Sequence, residues 1–175
     1  MKRLTKYQNT VIAPSLFHNS EGDKMRNNII FENVRILYPN FSGEKSQFNA
    51  DGKRKFTILI EDPNVASELL NQGWNIKQRE EEDTESTYWL LEVEVKYDRY
   101  PPLVYAVRES GKLLLDETTI NMLDYTRIAY ADLEINPYHW TWLGKSGIKA
   151  FLKTGYFIID ETELDRRYAS IPSIG

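Results

Sequence analysis

The chain is predicted to be a mainly β protein, an antiparallel Greek-key barrel of five strands or slightly more with two or three short inserted helices. Three observations carry this: six or more short stretches with strand patterning, turn residues between them, and only brief helical patterns. Its 175 residues fit one domain, large enough to bury roughly 70% of its unfolded surface without a metal or disulfide staple.

The elements follow in order. Residues 1–27 are polar and unpatterned, with Pro14, Asn19, Gly22 and Asn27, and are expected to form a flexible arm. Met25 offers a second starting point for the folded part. Ile29 to Leu37 reads IIFENVRIL, a β-branched strand ended by the turn residues Pro39 and Asn40. Lys55 to Glu61 alternates Phe56, Ile58 and Ile60 with polar residues, the signature of a half-buried strand. Asp62 and Pro63 then form an N-cap and first-turn pair for a helix over 64–72, closed by Gly73. The run REEEDTEST from Arg79 suits a solvated hairpin loop or strand connection.

Further along, Leu91, Val93, Val95 and Tyr97 fall on one face of a strand and Glu92, Glu94 and Lys96 on the other. Short strands are expected at Val104–Val107 and Lys112–Leu115, and a helix at about 117–123. Strands follow at 127–135, 138–142 and 148–159, and the acidic group Asp160 to Asp165 opens a short terminal helix. The domain is thus expected to span 28–169, with a tail at 170–175. No internal repeat is visible.

Composition removes several classes of function. Without cysteine there is no disulfide framework, thiolate metal site or cysteine nucleophile. No run approaches the ~18 apolar residues of a transmembrane helix, and no signal peptide opens the chain, so a soluble protein without membrane partners is expected. Only His18 and His139 are histidines, and neither a nucleophile elbow nor a phosphate loop is present. No cofactor or metal is expected. The net charge of −4 is unevenly spread, because much of the acidic surplus lies in Glu80–Glu85 and Asp160–Asp165.

One segment departs from that acidity. Tyr138 to Tyr156 reads YHWTWLGKSGIKAFLKTGY and holds five aromatics and three lysines without Asp or Glu. Flat π faces beside unpaired cations suit a single-stranded nucleic acid, whose bases stack while its phosphates meet ammonium groups. With a strand over 148–158, Ile148, Ala150, Leu152, Thr154 and Tyr156 share one face, and Lys149, Phe151 and Lys153 the other. Tyr138, Trp140 and Trp142 share a face of the preceding strand, and Gly144 and Gly147 are expected to hold Lys145 in a tight connection. Trp140 and Trp142 suit either a barrel rim or a stacking platform. Phe151 is harder to read as core, since burying it would carry Lys149 and Lys153 inward unpaired. Lys53, Arg54 and Lys55 beside Phe56 and Tyr38, and Lys96, Arg99 and Tyr100, fit a solvated loop as well as a binding surface.

The order FENVRILYPNF, GKRKFTILIED, GWNIK and PYHWTWLGKSGIKAFLKTGYFIIDETELDRRYA resembles the single-stranded DNA-binding proteins of double-stranded DNA phages, a branch of the OB-fold family, over Ile29 to Ala169. The resemblance implies an OB-like barrel that coats and protects single-stranded DNA in phage replication and recombination, in the cytoplasm of a bacterial host. It implies a ligand groove at Tyr38, Lys53, Lys55, Trp140, Lys145, Lys149, Phe151 and Lys153, to which Arg54, Arg99 and Tyr100 are added as candidates. Phage or host replication and recombination proteins are the candidate protein partners, and a homodimer is left open. Members of the wider family often carry a long acidic tail. Here ASIPSIG follows the acidic group, so recruitment or dimerisation through a tail is not expected.

Two other classes stay in view. Glu94, Val95 and Lys96 fit the Glu-x-Lys pattern of metal-dependent nucleases, with Glu92 or Asp62 as a further ligand, although the same residues suffice as the solvent face of an amphipathic strand. A non-catalytic phage structural or interaction module is the third reading.

Overall fold

The computed structural model describes residues 10–12 and 28–174. Short strands dominate, and most follow from alternation of apolar side chains. β1 (Thr10–Ile12), β2 (Ile29–Val34), β3 (Ile36–Asn40) and β4 (Arg54–Ile60) lead into α1 (Pro63–Gln72). β5 (Ile76–Glu80), β6 (Thr87–Val95), β7 (Leu103–Arg108) and β8 (Gly111–Leu115) then precede a 3₁₀ turn at Ile120–Tyr125. β9 (Ile128–Trp142), β10 (Lys145–Ile159) and α2 (Glu163–Tyr168) complete the order.

The sheet runs β1-β2-β9-β10-β6-β4-β3, with β5 added to β6, and β7 and β8 added to β10. Its ends nearly meet in the sequence, because only Arg35 separates β2 from β3. β2 pairs with β9 while β3 pairs with β4, so one bent strand curls the sheet into a barrel. Five strands thus form the circuit expected of an OB-like Greek key: β2/β3, β4, β6, β10 and β9. The sheet is mainly antiparallel, as expected, and its two parallel pairings are those of β10 with β6 and with β7. Long connections between these strands make the parallel pairings possible.

Local chemistry sets the inserted elements. Asp62 caps α1 by accepting from the Asn64 N–H at 2.8 Å, and Gly73 closes it in the left-handed region at φ 95°. Thr162 and Asp165 form a capping box that starts α2. The expected helix at 117–123 is instead a 3₁₀ turn beginning at Ile120. Asp116 explains the delay, because its carboxylate holds the N–H groups of Thr118 and Thr119 in a turn. β5 also departs from expectation: the acidic loop is confined to 81–86, and Ile76–Glu80 pairs with β6.

Inside the barrel, Phe41, Phe56 and Phe157 form a three-ring cluster with centroids 5.2 to 5.5 Å apart. Phe31, Ile58, Leu91, Leu133 and Ile135 are fully enclosed or nearly so. Each such side chain contributes about 1.5–3 kcal/mol by leaving water. Of the expected arm, Thr10–Ile12 pairs with β2, while the remainder of residues 1–27 lies outside the described residues. Among the described residues, no helix is long and apolar enough to cross a membrane.

Candidate nucleic-acid interface

The candidate surface is built on the β9–β10 hairpin. Leu143 and Gly144, at φ 47° and 75°, form a two-residue turn of the kind whose twist matches the flanking strands. Lys145 therefore lies in β10, directly opposite Trp142, instead of in the connection expected between Gly144 and Gly147. Gly147 serves packing. A Cβ there would come within 2.8 Å of the Trp140 indole and 2.6 Å of Asn75 Oδ1, so the indole lies across β10 where side-chain space is absent. Asn136–Pro137, read from the sequence as a break, continues the same strand.

Cross-strand register decides which side chains share a face. The pairs Lys145–Trp142, Gly147–Trp140, Lys149–Tyr138 and Phe151–Asn136 all stand opposite the buried Ile148, Ala150 and Leu152. The aromatic and basic residues of this segment consequently face outward together. Trp142 is 71% exposed, whereas Trp140 is half-buried. Phe151 meets Tyr138 edge to face at 5.3 Å.

Beyond Leu152 the expected face assignment fails. Leu152 pairs with Ile135 and Thr154 with Glu134, leaving Lys153 as the extra residue of a bulge. One inserted residue inverts a period of two, so Phe157 and Ile159 turn into the core and Thr154 and Tyr156 turn outward. Lys153 is exposed and pairs with Glu134 at 3.2 Å.

The same outer surface continues across the sheet. Phe151 is in register with Glu94 of β6, and Glu94 with Lys55 of β4. Glu94 is only 8% exposed because ammonium groups converge on it: Lys53 at 3.3 Å, Lys96 at 3.7 Å and Lys149 at 3.9 Å. Glu92 takes Lys53 at 3.1 Å and Lys55 at 3.0 Å. Burial works against both charges at this junction, yet the ion pairs prevail. Lys53 is raised above its ordinary pKa, since Glu92 and Glu94 outweigh the desolvation that would lower it. Glu92 is held below the usual carboxylate range, because hydrogen bonds from Lys55 and Lys53 outweigh the opposing effect of burial. Lys96 also lies over the Phe151 ring at 5.0 Å, a cation–π contact joining the charged and aromatic parts.

The loops add further groups. Phe48, in the loop before β4, is 80% exposed, and Tyr38 is 69% exposed beside the β3–β4 pairing. Tyr38 occupies a left-handed conformation at φ 52°, within the irregularity between Leu37 and Asn40. Arg54 alternates away from Lys53 and Lys55; it pairs with Glu117 at 3.4 Å and covers the Tyr97 ring. Arg99 and Tyr100 are exposed in the loop joining β6 to β7, which rejoins the sheet at Leu103 opposite Thr154 of β10. The structure thus gathers Lys53, Lys55, Trp140, Lys145, Lys149 and Phe151 on one surface, leaves Arg54 off it, and exposes Tyr38, Lys153, Arg99 and Tyr100 outside that group. Phe48 and Leu143, 80% and 85% exposed in loops, carry no periodic signal in the sequence. Lys96 had one, its alternation with Glu94.

A face of this kind offers rings for stacking and cations for phosphates. In five-stranded barrels with this circuit, the outer surface of the second and third strands, with the loops between strands one and two and strands four and five, is where oligonucleotides commonly bind. Here those parts are β4, β6, the loop bearing Phe48, and the β9–β10 turn. A family model described as a putative phage ssDNA-binding domain matches residues 19–175. Among solved structures, the chain is 15% identical to a C-terminally truncated single-stranded DNA-binding protein from bacteriophage Enc34, with a TM-score of 0.49, covering 81% of this chain and 94% of that one. The same phage protein in complex with ssDNA is 14% identical, with a TM-score of 0.49 and coverage of 81% and 95%. Bacteriophage T7 gp2.5, a single-stranded DNA-binding protein, is 11% identical, with a TM-score of 0.36 and coverage of 81% and 99%. No curated protein matches.

Proposed function

Because the chain belongs to the phage single-stranded DNA-binding domain family, we propose that it coats and protects single-stranded DNA during phage replication and recombination, through the outer face of β4, β6, β9 and β10. The observation that carries this reading is the convergence of Lys53, Lys96 and Lys149 beside the Phe151 ring. Lys53, Lys55, Lys145 and Lys149 meet phosphates, while Phe151, Tyr138 and Trp142 offer rings to the bases. Tyr38, Trp140, Lys153, Arg99 and Tyr100 are bordering contacts. Stacking accepts any base, so recognition is largely independent of sequence. The protein acts in the bacterial cytoplasm, where phage and host replication proteins are its candidate partners.

The role is binding without catalysis. Glu94 and Lys96, the candidate nuclease pair, are engaged with each other, and Glu94 also holds two further lysines. Among the described residues, no three His, Cys, Asp or Glu side chains are grouped to hold a metal ion. This donor set favours charge compensation over metal ligation.

Tryptophan fluorescence titrated with oligo-dT tests the proposal. Quenching without Mg²⁺, weakening as salt rises, and a preference for single-stranded over double-stranded DNA are expected. Absence of both quenching and a gel shift at low salt would sink the proposal. Incubation with Mg²⁺ or Mn²⁺ should leave the DNA at full length; shortening that Glu94→Ala abolishes would establish the nuclease instead.

A further inference from the structure

A second aromatic and cationic group lies beyond the Lys153 bulge. The bulge turns Tyr156 outward, where it stacks on Tyr105 of β7 with centroids 4.9 Å apart and planes 10° from parallel. The Lys112 ammonium, from β8, sits 4.8 Å from the Tyr105 ring and 5.7 Å from the Tyr156 ring. β7 and β8 lie outside the five-strand circuit, so nothing in the barrel itself requires this arrangement.

Position connects the group to the interface. β6 flanks β10 at Ala150 and Phe151, and β7 takes the same edge from Thr154 to Ile158. The outer surface of β10 therefore passes from Phe151, over Lys153, to Tyr156 without interruption. Between Lys145 and Tyr156 it extends about 36 Å at the usual rise of a strand. Of the carboxylates alongside, Glu134 is ion-paired with Lys153 and accepts from the Asn28 amide at 2.9 Å, while Asp132 accepts from the Asn33 N–H at 2.7 Å and keeps its charge. Lys112 has no carboxylate within ion-pairing distance among the described residues; its ammonium sits over the two rings instead. Its charge is available to a phosphate, and the tyrosine pair can extend its stack by one base.

We propose that Tyr105, Tyr156 and Lys112 form a second contact station for the same DNA strand. It would take a nucleobase on the tyrosine stack and a backbone phosphate on Lys112. The proposal rests on the reading of the main face as a single-stranded DNA site and extends that site along β10, so one strand engages both stations only when long enough to reach.

Oligo-dT of about 6 and about 16 nucleotides, lengths within the range one barrel occludes, distinguishes the two claims. Lys112→Gln should weaken binding of the longer oligonucleotide and lower its log–log salt slope by about 0.7, one phosphate contact on a single strand. Tyr156→Ala should weaken that binding by about fivefold or more, the loss of one stacked base. Neither change should alter binding of the shorter oligonucleotide, which the main face accommodates. If Tyr156→Ala fails to fold, Lys112→Gln decides alone, because that side chain is exposed. Unchanged affinity and slope for Lys112→Gln on the longer DNA overturns the second station while leaving the main face standing. Failure of the wild-type protein to bind either length overturns both.

Discussion

Glu94→Gln should tighten DNA binding, although it removes the residue on which three lysines converge. As the chain stands, Lys53, Lys55, Lys96 and Lys149 share the carboxylates of Glu92 and Glu94. Any phosphate must compete with these groups. Replacing one carboxylate by its neutral isostere releases about one unit of positive charge at the surface. On a single strand, affinity varies with roughly the 0.7 power of salt for each phosphate neutralised. Relative to ~1 M salt, one additional contact is then worth about eightfold at ~0.05 M and about fourfold at ~0.15 M. The fold should tolerate the change, because the Lys53, Lys96 and Lys149 side chains are 36%, 55% and 47% exposed and can rehydrate. Their three lost pairs cost about 1 kcal/mol in total. Anisotropy of a labelled oligo-dT, measured across a salt series, reads both affinity and slope. Equal or weaker binding by a variant with an unchanged thermal midpoint would refute the competition argument and make Glu94 a residue that positions the lysines.

Three other changes examine separate parts of the structure. Lys149→Ala combined with Lys153→Ala should weaken binding and lower the salt slope by up to ~1.4, with little loss of stability; unfolding of that variant would contradict the outward placement of both lysines. Leu143→Asn should raise stability by about 0.5–1 kcal/mol, because asparagine tolerates the left-handed backbone that leucine adopts at φ 47°; a lower thermal midpoint would count against the two-residue turn. Tyr97→Phe should preserve or raise stability near neutral pH, since the hydroxyl is buried without a hydrogen-bond partner among the described residues. Burial also pushes Tyr97 up to about 12 from 10.0. The folded state therefore favours the protonated phenol, and stability present below pH 10 is lost as the pH rises through about 12. Alkaline unfolding curves of Tyr97→Phe should lack that component, and superimposable curves would remove Tyr97 as its source.

The barrel was legible wherever burial imposed a short period. Phe56, Ile58 and Ile60 marked β4, and Leu91, Val93 and Val95 marked β6, because each strand has one face in the core. The same rule separates Arg54 from Lys53 and Lys55, since Arg54 shares parity with Phe56; grouping the three by adjacency overlooked the alternation. β5 was not legible, because four of its five residues are exposed and its pairing with β6 leaves no apolar pattern. The bulge at Lys153 was equally hidden. Lys-Thr-Gly-Tyr continues an acceptable alternation in either register, and the choice depends on seating Phe157 against Phe41 and Phe56. A long-range ring contact thus fixes the face of Tyr156, three strand positions beyond the bulge. The shared outer face of Tyr138, Lys149 and Phe151 was readable because Ile148, Ala150 and Leu152 keep strict time up to that point.

Net charge is a poor guide to ligand in such a molecule, for a reason visible in the position of its acids. Glu80–Glu85 sits at or beside the β5–β6 turn, where the Glu81 carboxylate accepts from the Thr84 and Ser86 hydroxyls. Its negative charge is counted in the total without lying in register with the aromatic face. Glu92 and Glu94 are in the face itself, but each carries lysines that outnumber it. Of the lysines along the β10 surface, Lys145 near the hairpin tip and Lys112 beyond the bulge have no carboxylate within ion-pairing distance among the described residues, whereas Lys53, Lys55, Lys96, Lys149 and Lys153 each do. A polyanion gains most where charge is uncompensated, because no internal pair must first be broken. The two ends of the β10 surface should therefore show larger effects on affinity per lysine than its centre, where Lys53 must release Glu92 and Glu94 before it meets a phosphate.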